Sequence, residues 1–312
     1  MQKLQFPQLN QPYFVTIRDR ARNSGLTSVR WIDRARLLCC DFNEKTAYLV
    51  GRKGSSFQMI HVLPTTLANG QPAQTDLMDY RNGRMAVTNF FQGSVSLYRV
   101  ANDRISFWKE LNLSGFKGVH GVRFLPGHDD LIWVSYCGKA NKCLQIIDIE
   151  QERVLWTVPT EEQAQDVAFL GPYAMMFART PHITEGVLEN PRPEALKTIY
   201  ATVYLFRMPS DIRCSPPVLV DTWRGEGHLD AAKEFGGLVF GANQYLDRVD
   251  VFGVDDGKVR LKGSLSGFQM PHGLDINDAG ELAVTNYGDQ SLRIARLREA
   301  RIKRAAGASM PA

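Results

Sequence analysis

The stretch Pro271-His272-Gly273-Leu274-Asp275-Ile276, with Ala283-Val284-Thr285-Asn286-Tyr287 close behind it, decides the fold because the chain repeats it. Val119-His120-Gly121-Val122-Arg123-Phe124 restates the first phrase and Ala86-Val87-Thr88-Asn89-Phe90 the second. Val239-Phe240-Gly241-Ala242-Asn243 is a further copy of the second, and each of these three asparagines is followed six residues later by an apolar position: Val95, Val249 and Leu292. With its weaker copies, the first phrase starts at Thr27, Asp76, His120, Gln165, His228 and His272, at intervals of 49, 44, 45, 63 and 44 residues. Units of this length that cannot bury their own faces must stack, and six of them make a ring.

Each unit reads as four short strands in period-two alternation, broken by Gly, Asn and Asp turns. Outer strands are expected at 57–63, 105–113, 154–158, 218–223 and 259–265, and the sixth unit lacks one. An orphan strand at 13–17 can supply it and remove a free edge that would otherwise invite aggregation. The expectation is an all-β, six-bladed β-propeller of four-stranded blades, with the N-terminal strand closing the last blade. It occupies 1–297 as one domain, with an insertion at 180–200 in blade four and a basic C-terminal tail at 298–312.

Composition narrows the function classes. The chain has 312 residues, 44% hydrophobic and 22% charged, which excludes disorder and collagen-like structure. No run approaches the roughly 18 apolar residues of a membrane span, and the N-terminus has no apolar signal core. Five cysteines, an odd number, fit thiols in a reducing compartment, so a cytoplasmic protein without a membrane partner is expected. The net charge of +4 gathers in the tail, where Arg293, Arg296, Arg298, Arg301, Lys303 and Arg304 face one acid, Glu299. A near-neutral body has no basis for the phosphate neutralisation that drives nucleic-acid binding.

In its Pro-His-Gly-Leu-Asp and Ala-Val-Thr-Asn-aromatic phrases the chain resembles the NHL-repeat and related six-bladed propellers, over nearly its whole length. The resemblance implies the architecture, and relatives of this fold include lyases, hydrolases and non-catalytic scaffolds.

Strand parity puts three features on one rim: the frame-start residues, the ends of the second strands and the insertion. The excess of blade four begins directly after Arg179, and a long loop in a compact domain is more often a binding loop than filler. Three of the six histidines, His120, His228 and His272, hold the same frame position, and three neutral imidazoles with an open fourth position suit zinc or another divalent metal. The arrangement resembles the propeller lyase that cleaves peptidyl-hydroxyglycine and binds zinc through inner-strand histidines. It departs from that family in its odd cysteine count and missing signal peptide. A Ca²⁺ site of Asn89, Asn243 and Asn286 with Asp41 or Asp76 is the weaker alternative, since asparagine at a strand end is also a turn former. Arg179 is the candidate catalytic group, a clamp for a substrate carboxylate or oxyanion. Asp76, Asn89, Arg179 and His182 are expected to touch a ligand, as are Asn243, Asn286 and Tyr287. The leading expectation is a non-catalytic propeller that binds a small molecule or a protein segment at the axial rim. The alternative is a metal-dependent lyase or hydrolase acting on a small polar substrate.

Overall fold

Period-two alternation gives each strand one apolar face, and short polar pairs reverse the chain between strands. Asn82-Gly83, Asn102-Asp103 and Asp256-Gly257 take positive φ, from 48° to 76°. They join the paired residues Arg81 and Arg84, Ala101 and Arg104, and Asp255 and Lys258. Two-residue turns of this hand match the twist of the flanking strands, so neighbouring strands in a blade pair antiparallel.

The computed structural model describes residues 4–5, 13–15, 25–54, 56–113, 115–138, 141–180 and 200–297. They form six four-stranded antiparallel blades, five of them running in chain order from the innermost strand to the outermost. The inner strands are Leu26–Trp31, Thr75–Arg81, Val119–Phe124, Gln163–Leu170, Leu229–Phe235 and Pro271–Ile276. Outer strands at Ser56–Pro64, Arg104–Asn112, Arg153–Pro159, Val218–Glu226 and Lys258–Ser266 match those expected to within a few residues. Beside Ser291–Arg296 in the sixth sheet runs Tyr13–Val15, with Tyr13 opposite Ile294 and Val15 opposite Leu292. Leu4–Gln5 pairs parallel with Gly263 and Ser264, so the fifth sheet has an additional strand.

The apolar core lies between blades. Leu238, Phe240, Val249 and Val251 of blade five pack on Leu274, Leu282 and Val284 of blade six. Blades two and three meet through Val95, Leu97 and Leu111 against Val122, Ile132 and Val134. Each such fully buried side chain contributes roughly 1.5–3 kcal/mol relative to exposure, which is how a propeller distributes its stability around the ring.

Inner strands share one irregularity that locates the site. Leu26, Thr75, Val119, Leu229 and Pro271 face Asp41, Asn89, Tyr136, Asn243 and Asn286; the residue three further along then pairs with the residue only two back on the partner. Blade four does the same from Ala164 and Ala178. One extra residue per inner strand is a bulge, which leaves backbone groups without ladder partners. The threonine of the Ala-Val-Thr-Asn phrase meets them. Thr88 Oγ1 accepts from Leu77 N at 3.0 Å and donates to His120 O at 2.7 Å, and Thr285 Oγ1 accepts from Gly273 N at 2.7 Å. That phrase therefore recurs for a structural reason.

No helix among the described residues is long and apolar enough to cross a membrane. All five cysteines are free, and burial pushes the thiols of Cys40, Cys137 and Cys143 up to about 12. His182, nearly all of the 180–200 insertion and the 298–312 tail lie outside the described residues. At the base of the insertion Thr180 N donates to Tyr200 O at 3.3 Å.

Candidate functional site

The residue after each bulge origin points to the axis: Thr27, Asp76, His120, Gln165, Asp230 and His272. All six are buried. In order around the axis they read as a polar residue, an aspartate and a histidine, twice over, so opposite blades carry like donors. This register corrects the frame in blade five. Leu229, facing Asn243, places Asp230 rather than His228 in the ring. The sequence held a signal for this, because Asp76 precedes Asn89 by 13 residues and His272 precedes Asn286 by 14, while Asp230 precedes Asn243 by 13.

The His-Gly pairs have a packing cause. A Cβ on Gly273 would sit 2.5 Å from Thr27 O, and one on Gly121 would sit 2.2 Å from Gln165 O. Glycine lets the backbone of the next blade come this close, and the same carbonyls then fix the histidine rings. His272 Nδ1 donates to Thr27 O at 2.8 Å and His120 Nδ1 to Gln165 O at 3.1 Å. A carbonyl only accepts, so each neutral ring carries its proton on Nδ1 and turns a bare Nε2 to the axis.

There the nitrogens meet further acceptors. His120 Nε2 is 3.4 Å from Asp76 Oδ2 and 3.7 Å from Asp230 Oδ1; His272 Nε2 is 3.7 Å from Asp76 Oδ1. Asp76, His120 and His272 form the one group among the described residues whose potential metal-binding atoms all lie within 4.8 Å of one another. Asp76 Oδ1, Asp230 Oδ2 and Gln165 Oε1 have no hydrogen-bond partner among the described residues, while Asp230 Oδ1 has His228 Nε2 3.1 Å away. Thr27 Oγ1 and Gln165 Nε2 donate to the backbone oxygens of Asp76 and Gln163, at 2.8 and 3.2 Å. The ring is thus a set of buried acceptors.

His228 stands just outside the ring. Its Nε2 lies 3.1 Å from Asp230 Oδ1 and 3.2 Å from Arg179 Nη1, and one nitrogen can serve only one of them. Burial holds His228 down to about 4, so it is neutral at pH 7. Burial alone would raise the Asp230 carboxyl; the imidazoles of His228, His272 and His120, once protonated, more than offset this and hold it below the usual range.

The remaining expected residues divide. Arg179 flanks the ring through His228 and is held by Gln163 Oε1 at 3.0 Å. Tyr287 lies on His272, ring centres 5.8 Å apart, as Tyr245 lies on His228 at 5.1 Å. The asparagines spend their amide nitrogens on nearby groups: Asn89 on Ser94 and Ser96, Asn243 on Asp250 and the Glu226 carbonyl of blade four, Asn286 on Ser291. Phe90, edge-on to His120 with ring centres 6.3 Å apart, is a rim residue that the sequence reading did not single out.

Neither a family model nor a curated protein matches the chain. Solved structures do. The WD40 β-propeller domain of Doa1 superposes with a TM-score of 0.62 at 10% identity, covering 94% of this chain and 98% of that one. U3-55K gives 0.60 at 9% identity, over 94% and 100%. A hydrazine synthase of Kuenenia stuttgartiensis gives 0.56 at 13% identity, over 84% and 80%. At such identities the likeness shows the propeller fold alone.

Proposed function

We propose that this chain is a non-catalytic binding propeller that holds its ligand, a small molecule or a protein segment, at the axial mouth through a cation seated in the acceptor ring. The observation that carries this is the burial of Asp76 and Asp230, whose Oδ1 and Oδ2 respectively have no donor among the described residues. An unpaired buried carboxylate is costly, and a folded protein keeps one where a ligand completes it. WD40 neighbours and the His-Gly and Thr-Asn phrases, which suggest kinship with NHL-repeat propellers, are compatible with a binding role. Free, buried thiols suit a reducing compartment. The second reading, a metal-dependent lyase or hydrolase, is favoured by Arg179, whose guanidinium adjoins the ring and suits a substrate oxyanion.

Asp76→Asn tests the reading. It removes the charge and keeps the shape, so at pH 8 the ion-free variant is expected to be about 1 kcal/mol more stable than wild type, roughly 2–4 °C in Tm. A loss of stability comparable to that from breaking a paired buried charge would show that Asp76 is a structural ion and end the reading.

A further inference from the structure

We propose that Asp76, His120, Asp230 and His272 bind one divalent transition-metal ion on the propeller axis, an inference that rests on the cation-centred reading above and names the cation. Three observations on the ring converge. First, both histidines are committed as Nε2 donors, because their Nδ1 protons are taken by the carbonyls of Thr27 and Gln165. A metal-binding imidazole characteristically donates its other N–H to such an outer partner, which sets the tautomer and aims the ring. Secondly, acceptors face acceptors. With its proton on Nδ1, His120 brings the lone pair of Nε2 to 3.4 Å from Asp76 Oδ2 and 3.7 Å from Asp230 Oδ1. Lone pairs so placed in a buried site call for positive charge among them.

Thirdly, the spacing suits a small ion. Ligand atoms about 2.0–2.2 Å from a tetrahedral metal lie roughly 3.3–3.6 Å from one another. Asp76, His120 and His272 lie within 4.8 Å of one another, with separations of 3.4 and 3.7 Å about Asp76, and Asp230, 3.7 Å from His120 but outside that group, must swing inward to complete the set. Two imidazole nitrogens with two carboxylates favour Zn²⁺, Co²⁺ or Mn²⁺ over Ca²⁺, which takes oxygen ligands. Two carboxylates also cancel the charge of a divalent ion, leaving a neutral centre in a buried place. His228, 3.1 Å from Asp230 Oδ1, is a positioning residue for that carboxylate and no ligand in this assignment. The expected set of three histidines is therefore replaced by a pseudo-twofold set of two histidines and two aspartates.

The experiment uses the full chain, freed of metal by a chelator and dialysed. Zn²⁺ and Co²⁺ are titrated by calorimetry, with the visible absorption of bound Co²⁺ as a second readout. One ion per chain is expected, with Co²⁺ bands of a low-symmetry, four- or five-coordinate site. Asp76→Asn and Asp230→Asn, which preserve shape and whose folding is checked by circular dichroism, should each weaken binding at least 100-fold. His228→Ala should weaken it about tenfold, as for an outer partner. His128→Ala, in a turn of blade three, should leave it unchanged. Absence of stoichiometric binding by the wild type would overturn the assignment, as would full binding by an Asp76→Asn, Asp230→Asn double variant. If Asp76→Asn stabilises the ion-free protein and yet neither metal binds to wild type, the metal assignment fails while the cation-centred reading survives. If Asp76→Asn destabilises it, that reading fails first.

Discussion

Two layers of buried charge lie three residues apart on the same inner strands, and they are partnered differently. The ring at the mouth leaves Asp76 and Asp230 with unpartnered oxygens. Three residues on, the inner strands carry Arg30, Asp79, Arg123, Ala168, Lys233 and Asp275, a collar of nearly alternating sign. Asp79 Oδ1 lies 3.3 Å from both Arg30 Nε and Arg123 Nη1, and its Oδ2 accepts from Phe124 N at 2.9 Å. Asp166 takes Arg123 and the amide of Ala232, and Asp275 takes Lys233 Nζ at 2.8 Å with Trp31 N at 2.7 Å. Arg30 donates to Leu274 O at 2.7 Å, which ties blade one to blade six. A buried charge with a partner on the next blade joins blades. One without a partner is a place for something else.

Breaking the collar is expected to have the largest effect. Arg123→Ala leaves Asp79 with Arg30 as its one guanidinium and takes from Asp166 the nearer of its two, and urea unfolding should register a loss of about 3–5 kcal/mol. A loss below about 1 kcal/mol would mean that the collar is no more structural than the ring.

The collar should also leave a mark on pH dependence, with a definite sign. Burial pushes Asp79 up to about 6 against the pull of Arg30 and the Phe124 amide. A carboxyl raised in the folded state binds its proton more tightly there, so its contribution is present below pH 4 and is lost as pH rises through 6. Between pH 4 and pH 7 wild type should therefore lose up to about 3 kcal/mol relative to Asp79→Asn, whose side chain does not titrate. Parallel stability curves for the two proteins would show that the guanidiniums fully offset the burial.

The mildest change sharpens the contrast from the ring side. Gly273→Ala must displace Thr27 O, the carbonyl that holds His272. About 1–3 kcal/mol of stability should go, as for other overpacked sites. Metal or ligand binding should fall with it, although no ring residue has been replaced. Unchanged binding in a destabilised Gly273→Ala protein would separate the packing role of the His-Gly pair from the aim of the histidine.

Much of this was legible in the primary structure. Blade number, strand positions and the axial placement of Asp76, His120 and His272 follow from spacing, because each blade must meet its neighbours at the same depth. Asp230 was missed for a physical reason. His228 is the more conspicuous residue, and the choice between them depends on which residue of the inner strand faces Asn243 across the bulge. The partners of the asparagines that recur with the motif, side chains up to seven residues away and the Glu226 carbonyl for Asn243, come from the folded blades and not from the repeat.

What the sequence determined by itself is the architecture: a period near 45 residues, alternation within it and glycine where backbones crowd dictate a ring of four-stranded blades, since local pattern and nearest-neighbour stacking suffice. What only the tertiary structure decided is which polar residues share the axis and whether they are partnered. Ring and collar draw on all six blades, with partners as distant in sequence as Thr27 and His272. Such pairings depend on how each blade sits against the next, which no local pattern encodes.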